Sequence, residues 1–134
     1  MADLERLTLL AVDAGDLAPL SALLQDAIVR AGDVAWDRRG RRLVLIGSRY
    51  RWEVEDKTRV RTALRIEAVQ AVQQLHWPRD PDAGLDLLSV TAVDDTIVLA
   101  FAGGTSLRAR VECIDLVLED LSPAWGVRHT PDHG

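Results

Sequence analysis

The sequence predicts a single α+β domain in which an antiparallel β-barrel or sandwich forms most of the structure, with one helix near each end. Apolar and polar residues alternate with a period of two through much of the region 34–111, which is typical of strands with one buried face. Clusters of glycine, proline and aspartate separate these runs at short intervals. Helical spacing of apolar residues is clearest near the two ends of the chain.

The N-terminal elements are predicted to be a strand and then a helix. Arg6 to Val12 is rich in apolar residues and is followed by the turn signal Asp13-Ala14-Gly15. Asp16 can cap the helix, and Pro19 falls in the first turn, where its missing N–H costs no hydrogen bond. We expect the helix to stop at Ala31-Gly32. One stripe at helical spacing would face the core: Leu17, Leu20, Leu24, Ala27 and Ile28.

Four strands are predicted next, with turns at Arg38-Arg39-Gly40 and at Gly47-Ser48. In the third strand, Tyr50, Trp52 and Val54 share one face, and Arg49 and Arg51 lie with the glutamates on the opposite, wet face. The predicted strands are Val34–Asp37, Leu43–Ile46, Arg49–Glu55 and Thr62–Trp77.

The segment Thr62–Trp77 fits two periods. An extended strand with a bulge near Ala68-Val69 explains the change of phase between Leu64 and Val69. A helix would instead place Leu64, Ala68 and Leu75 on one stripe. We favour the strand.

The second half is predicted to be a three-stranded meander followed by a helix. The stretch from Pro78 to Gly84 reads as a loop, because it contains two prolines and turn-forming aspartates. The strands are Leu85–Val93, Thr96–Ala102 and Thr105–Val111. The helix is Glu112–Leu121, with Asp115, Glu119 and Asp120 on its solvated side, and Ser122-Pro123 ends it.

Length, composition and charge restrict the class of protein. At 134 residues the chain suits one domain, predicted over 1–125, with a disordered tail over 126–134. No apolar run approaches the roughly 18 residues of a membrane-spanning helix. The N-terminus lacks the order of a signal peptide, and the lone Cys113 can form no internal disulfide, so we expect a cytoplasmic protein.

The charge is distributed unevenly along the chain. The net charge of −5 argues against a general binder of nucleic acid. The region 30–65, however, holds eleven of the sixteen Lys and Arg residues and only five acidic residues. We therefore expect a polarised surface.

The sharpest functional candidate is the basic hairpin around Gly40, with Trp36 beside it. Arginines around a tight turn can bind phosphate, acidic peptide or nucleic-acid backbone through paired hydrogen bonds. Asp33 and Asp37 could instead neutralise the hairpin within the chain. The predicted anion-binding residues are Arg38, Arg39, Arg41, Arg42, Arg49 and Arg51.

Other chemistry-bearing residues give weaker signals. His129 and His133 lie in the predicted tail, and His76 has no identified acidic partner, so we predict no metal site and no cofactor. Cys113 at the start of the last helix reads as a small buried residue. A large aromatic side chain left exposed, Trp52, Trp77 or Trp125, would make a protein interface, and paired sheet edges would make a homodimer.

Three stretches carry a family resemblance: Leu23 to Trp36, Tyr50-Arg-Trp-Glu, and Val111 to Trp125. Together they resemble an alphaproteobacterial family known only as a domain of unknown function, the one numbered 2948. The order of four strands, three strands and a C-terminal helix is similar to the pleckstrin-homology-like barrel, with a strand and a helix added in front. That resemblance implies anion contacts at the first hairpin.

These observations predict an uncharacterised non-catalytic binding or adaptor module whose protein partner is unknown. The first alternative is binding of an anion or nucleic acid through Arg38–Arg42. The second is a small enzyme with an unrecognised site, for which His76 and Cys113 are the available candidates.

Overall fold

In the computed structural model, which describes residues 6–126, the protein is a ten-stranded antiparallel sheet with one short helix. Helix α1 spans Leu17–Leu24 and follows a single 3-10 turn at Ala14–Asp16. The strands are β1 Thr8–Ala11, β2 Ala27–Asp37, β3 Arg42–Tyr50, β4 Thr58–Ile66, β5 Val69–Leu75, β6 Gly84–Val93, β7 Thr96–Phe101, β8 Ser106–Val111, β9 Leu116–Asp120 and β10 Trp125–Gly126.

The strand order across the sheet is β1-β9-β4-β3-β2-β6-β7-β8-β5, and β10 pairs with β4. Strands β2, β3 and β4 form a first meander, and β6, β7 and β8 form a second. Strand β2 belongs to both halves, because it pairs with β3 on one side and with β6 on the other. Within the described residues, the outermost strands are β1 and β5, so the sheet is open.

A bulge in β2 joins the two halves. The register with β3 shifts between Val29 and Val34, which leaves several residues of β2 outside that ladder. Two of them donate elsewhere, Ala31 to the Ala83 carbonyl at 2.9 Å and Gly32 to the Pro81 carbonyl at 2.8 Å. The bulge therefore anchors the loop before β6 while β2 passes from one meander to the other.

The inner faces of both meanders meet in one apolar core. Side chains of alternating residues in the strands point into it, as with Leu43 and Leu45 in β3, and helix α1 covers it with Leu17, Leu20 and Leu24. Burying a side chain of this size stabilises the fold by about 1.5 to 3 kcal/mol. The core thus depends on every strand from β1 to β9.

The predicted α+β class and the antiparallel sheet are confirmed, as are several elements. The first strand, the loop from Pro78 and the three strands of the second meander lie where the sequence predicted them, with ends shifted by a few residues. Only one of the two predicted helices is present within residues 6–126.

The predicted C-terminal helix Glu112–Leu121 is wrong. Residues Leu116–Asp120 form β9, which lies between β1 and β4 and pairs with both. Leu116, Leu118 and Asp120 are buried and alternate with more exposed residues, so the period here is two. The predicted pleckstrin-homology-like order required a helix at this position, and a strand occupies it.

Two predicted boundaries near β2 and β3 are also wrong. Helix α1 stops at Leu24, and Ala27 and Ile28, which were assigned to its apolar stripe, begin β2. Gly47 does not make a turn, because β3 continues through it. A Cβ on Gly47 would lie 2.4 Å from the Ile28 carbonyl oxygen, so glycine allows the close approach of β2.

The segment Thr62–Trp77 is extended, as favoured, but it belongs to two strands. Strand β4 ends at Ile66, Ala68 turns the chain with a φ of 57°, and β5 begins at Val69. The register of β5 with β8 shifts between Val69 and Ala71, close to the predicted bulge. The two strands pair with different neighbours, so the turn redirects the chain from one half to the other.

The C-terminal region is described as far as Gly126. That residue was assigned to the tail and instead pairs in β10 with Thr58. The rest of the predicted tail, 127–134, lies outside the described residues. Residues 6–126 contain no helix with the length and hydrophobicity needed to cross a membrane.

Candidate functional site

The arginine turn, Arg38 to Arg42, connects β2 to β3 at one end of the sheet. It is held by a local hydrogen bond in which the Gly40 N–H donates to Asp37 Oδ1 at 3.0 Å. A Cβ on Gly40 would lie 2.3 Å from the other carboxylate oxygen of Asp37, so any larger residue would displace the carboxylate that holds the turn. Arg41 follows with a φ of 56°, in the left-handed region. The turn is therefore a fixed platform for the arginine side chains.

Arg38 and Arg39 project from this platform without an acidic partner. Both are exposed, and within residues 6–126 neither forms an ion pair. The two acids proposed to neutralise them are engaged elsewhere. Asp33 accepts from Arg30 at 3.1 Å, which lowers the pKa of its carboxyl, and Asp37 is held by Gly40. These two guanidinium groups remain available to an external anion.

Arg41 and Arg42 differ, because each pairs with an acid from another part of the chain. Arg41 donates to Glu112, which also accepts from Gln70 at 3.4 Å, and the Arg41 guanidinium lowers the pKa of Glu112. Arg42 Nε lies 2.6 Å from Glu67 Oε1. Both pairs are partly exposed, so a competing anion can reach them.

Arg49, a predicted anion ligand on a wet strand face, is completely buried at 0% exposure. It binds Asp120 at 2.9 and 2.8 Å and Glu53 at 2.9 and 2.7 Å. Burial acts against its charge, but the hydrogen bonds to the two carboxylates prevail and raise its pKa. Asp120, predicted to be solvated, is 5% exposed. Arg49 is a structural residue, and its predicted solvent-facing position is wrong.

Arg51 also lies away from the arginine turn. The predicted strand Arg49–Glu55 ends at Tyr50, and Arg51 sits in the following connection. Its Nη1 donates to Thr58 at 3.1 Å and lies 3.3 Å from Asp56. The fold therefore brings together four of the six predicted arginines and places the other two near the opposite end of β3.

The tryptophans have different environments. Trp52 is half-buried and donates from Nε1 to the Gln25 carbonyl at 2.8 Å. Trp36 and Trp77 pack against the core, the latter edge-on to Phe101 with ring centroids 5.8 Å apart. Trp125, by contrast, is 43% exposed on β10.

A second basic surface, not singled out from the sequence, lies on the outer side of β8. Arg108 and Arg110 are exposed, and within the described part of the chain neither is ion-paired. They line an open groove of about 420 Å³ together with Ala71 and Gln73 of β5. The alternation of these arginines with buried Leu107, Ala109 and Val111 was visible in the sequence, but exposure alone does not indicate binding.

The remaining candidates do not form a reactive group. His76 follows β5 and Cys113 follows β8, and antiparallel pairing puts them at opposite ends of the β5–β8 ladder. Cys113 is exposed, so its predicted burial is wrong. Residues 6–126 contain no cluster of His, Cys, Asp and Glu able to hold a metal ion. His129 and His133 lie outside the described residues.

The fold and its basic turn define a small α+β protein built on an open antiparallel sheet. The chain belongs to a protein family of unknown function, DUF2948, whose family model matches residues 7–133. No curated protein and no solved structure matches it.

Proposed function

We propose that the protein is a non-catalytic binding module that holds an acidic partner through the arginine turn. The observation that carries this proposal is the pair of exposed guanidinium groups on Arg38 and Arg39, which have no counter-ion within residues 6–126. They stand on a turn fixed by the Asp37–Gly40 hydrogen bond. A fixed base reduces the conformational entropy lost on binding.

The chemistry of the site suits carboxylate or phosphate. A guanidinium group offers two parallel N–H donors to such an anion, and charge-assisted bonds of this kind are the stronger hydrogen bonds in proteins. Arg41 and Arg42 lie beside the free pair and are held by Glu112 and Glu67. An anion at the turn would first meet the unpaired arginines and then compete for the paired ones.

An acidic protein segment fits better than nucleic acid as the partner. The net charge of −5 opposes long-range attraction of a polyanion, whose binding depends on many phosphate contacts. A short acidic segment needs only the local positive potential of the turn. We also propose a cytoplasmic location, because the single cysteine, Cys113, can form no internal disulfide.

An enzymatic role has less support. The two residues available for nucleophilic or acid-base chemistry are Cys113 and His76. They lie at opposite ends of the ladder formed by β8 and the seven-residue strand β5. At about 3.4 Å per residue, that separation far exceeds the distance of roughly 3 Å across which a base activates a nucleophile.

Charge reversal at the turn tests the proposal. The double variant Arg38→Glu/Arg39→Glu should lose salt-sensitive retention on heparin and binding to a labelled glutamate-rich peptide. A matched control, Arg6→Glu/Arg79→Glu, makes the same change of charge at two exposed residues outside the turn and should keep most of both. An equal loss of binding in the two variants would mean that net charge, and not the turn, causes the effect. Unchanged binding after charge reversal at the turn would refute the proposal.

A further inference from the structure

Strand β5 is an edge strand that begins beside the arginine turn. It is hydrogen-bonded along its length to β8, and among residues 6–126 no strand pairs with its other side. At its start the Val69 N–H donates to the Arg41 carbonyl at 2.8 Å. A chain lying along the open side of β5 would therefore have one end next to the arginines of the turn.

The direction of the backbone groups follows from the neighbouring ladder. The Val111 N–H donates to the Asp95 carbonyl at 2.8 Å, and the carbonyl of Thr105, the residue before β8, accepts from the Phe101 N–H at 2.9 Å. The backbone groups of Thr105 and Val111 are therefore directed toward β7. Backbone groups alternate along an antiparallel strand. The backbone N–H and C=O groups of the alternate residues in β8 are therefore directed toward β5. These residues are Ser106, Arg108 and Arg110.

Their partners in β5 are Ala71, Gln73 and Leu75, which use their N–H and C=O groups in that ladder. The residues between them, Val72 and Gln74, consequently direct their N–H and C=O groups to the open side. Each can form a pair of backbone hydrogen bonds with an added strand.

This edge lacks the features that normally prevent strand addition. Proteins protect their edges with charged residues, proline or very short strands. Strand β5 has seven residues, Val-Gln-Ala-Val-Gln-Gln-Leu, with no charge and no proline. The other outermost strand, β1, has only four residues. Of the two edges, β5 is the one built to accept a strand.

The charges around the edge indicate what kind of strand it accepts. Arg108 and Arg110 lie one strand inside β5, on the outer face, and have no ion-pair partner in the described part of the chain. An added strand would lie about 10 Å from β8, since neighbouring strands are about 4.8 Å apart. Arg110 and an acidic side chain of the added strand can together span that distance across the small side chain of Ala71, the partner of Arg110 in β5.

We propose that β5 accepts an extended acidic segment of a partner protein as an additional strand, with its acidic side chains directed at Arg108, Arg110 and the arginine turn. This inference rests on the proposed function, because the turn supplies part of the charge at one end of the strand. Main-chain hydrogen bonds at Val72 and Gln74 provide affinity, and the arginines select for acidic residues. Pairing of β5 with β5 of a second copy would use the same backbone groups but would leave these arginines without counter-ions.

Amide exchange with a defined peptide tests the inference. The probe is a peptide of about eight residues with alternating glutamate and valine, long enough for one strand. In the free protein the amides of Val72 and Gln74 should exchange quickly, while those of Ala71 and Gln73 are already protected. On addition of the peptide, exchange at Val72 and Gln74 should slow by about tenfold or more. A peptide with proline in place of each valine keeps the charge but cannot pair, and should give no such protection.

A matched pair of variants isolates the edge. Gln74→Pro removes an outward N–H that the fold does not use, whereas Gln74→Ala keeps it. The proline variant should bind the peptide at least about tenfold more weakly than the alanine variant, with the same thermal midpoint. Arg108→Glu/Arg110→Glu should weaken binding of the glutamate peptide without changing the exchange of the free protein.

Three results would overturn the inference, each in a recognisable way. Binding that is lost on reversal of Arg38 and Arg39 but unaffected by Gln74→Pro, with no new protection at Val72, would leave the proposed function standing and remove the added strand. No binding of any acidic probe would remove both. Protection of Val72 and Gln74 in the free protein, together with the mass of a dimer, would assign the edge to a second copy.

Discussion

Arginines lie at both ends of strand β3, and they differ in exposure and in ion pairing. Before its start, Arg38 and Arg39 are exposed and unpaired within the described residues. Near its other end Arg49 is fully buried and held by Asp120 and Glu53. The counter-ions of Arg49 belong to the fold, whereas the guanidinium groups of Arg38 and Arg39 remain accessible to an external anion. Residue type alone does not distinguish the two roles.

The buried Arg49 is stable in its place only because its guanidinium group is hydrogen-bonded to carboxylates. Taking a guanidinium group out of water costs several kcal/mol, which only well-directed hydrogen bonds offset. Arg49 makes four of them, all at 2.9 Å or less. Asp120 also lies 3.4 Å from the Leu7 N–H, so the cluster ties β3, β9 and the N-terminal segment together. Loss of the Arg49 guanidinium would leave Asp120 buried without a counter-ion.

The largest effect is therefore expected for Arg49→Met. The variant removes the guanidinium and leaves Asp120 buried and unpaired, which should lower the free energy of unfolding by about 3 to 5 kcal/mol. Urea denaturation measures this change directly. The double variant Arg49→Met/Asp120→Leu replaces both charges by apolar groups and should recover most of the loss. A single variant as stable as the wild type would mean that the cluster is not closed to water.

The sequence could identify the arginine turn but not the burial and ion pairing of Arg49. Arg38, Arg39 and Gly40 form a local signal, since a tight turn exposes whatever side chains it carries. The buried partner of Arg49, Asp120, is 71 residues away, and only the tertiary fold brings the two together. Alternation correctly placed Arg49 and Tyr50 on opposite faces of a strand, but it could not show that both faces are covered here, with Tyr50 5% and Arg49 0% exposed.

The same limit explains the missed strand β9. Ile114, Val117, Leu118 and Leu121 fit a helical stripe, whereas Leu116, Leu118 and Asp120 fit a strand with an aspartate on its inner face. The predicted helix put Asp120 on its solvated side, whereas the strand buries it, which is rare for an aspartate without a partner. Once β1 and β4 supply hydrogen bonds on both sides and Arg49 supplies the counter-charge, the strand becomes the stable choice. The second meander, β6 to β8, has local turns and carried no such ambiguity.

An intermediate effect is expected from acid, acting through Glu53. Burial would raise the pKa of its carboxyl, but the hydrogen bonds with Arg49 outweigh burial and hold the pKa below the ordinary value of 4.5. The stability from this group is therefore complete above about pH 4.5 and is lost as the pH falls through the lower pKa of the folded state. Glu53→Gln should cost about 1 kcal/mol or less at neutral pH, since the side chain is partly exposed.

The measurement is the difference in unfolding free energy between the wild type and Glu53→Gln. Glu112 and Asp33 also have lowered pKa values and add equally to the acid sensitivity of both proteins, so their contributions cancel in this difference. The two unfolding free energies should converge as the pH falls below about 4.5. A gap that stays constant over this range would contradict a lowered pKa at Glu53.

The smallest effect is expected at the exposed end of β3. Arg38→Ala/Arg39→Ala removes two side chains that make no ion pair within the described residues, so the free energy of unfolding should change by about 0.5 kcal/mol or less. Removing like charges from one turn also relieves their mutual repulsion. A slight gain in stability therefore agrees with the prediction as well as a slight loss does. Urea denaturation at low and at moderate salt would show both effects. A loss comparable to that of Arg49→Met would place these arginines in the fold and leave the turn without free charges to offer a partner.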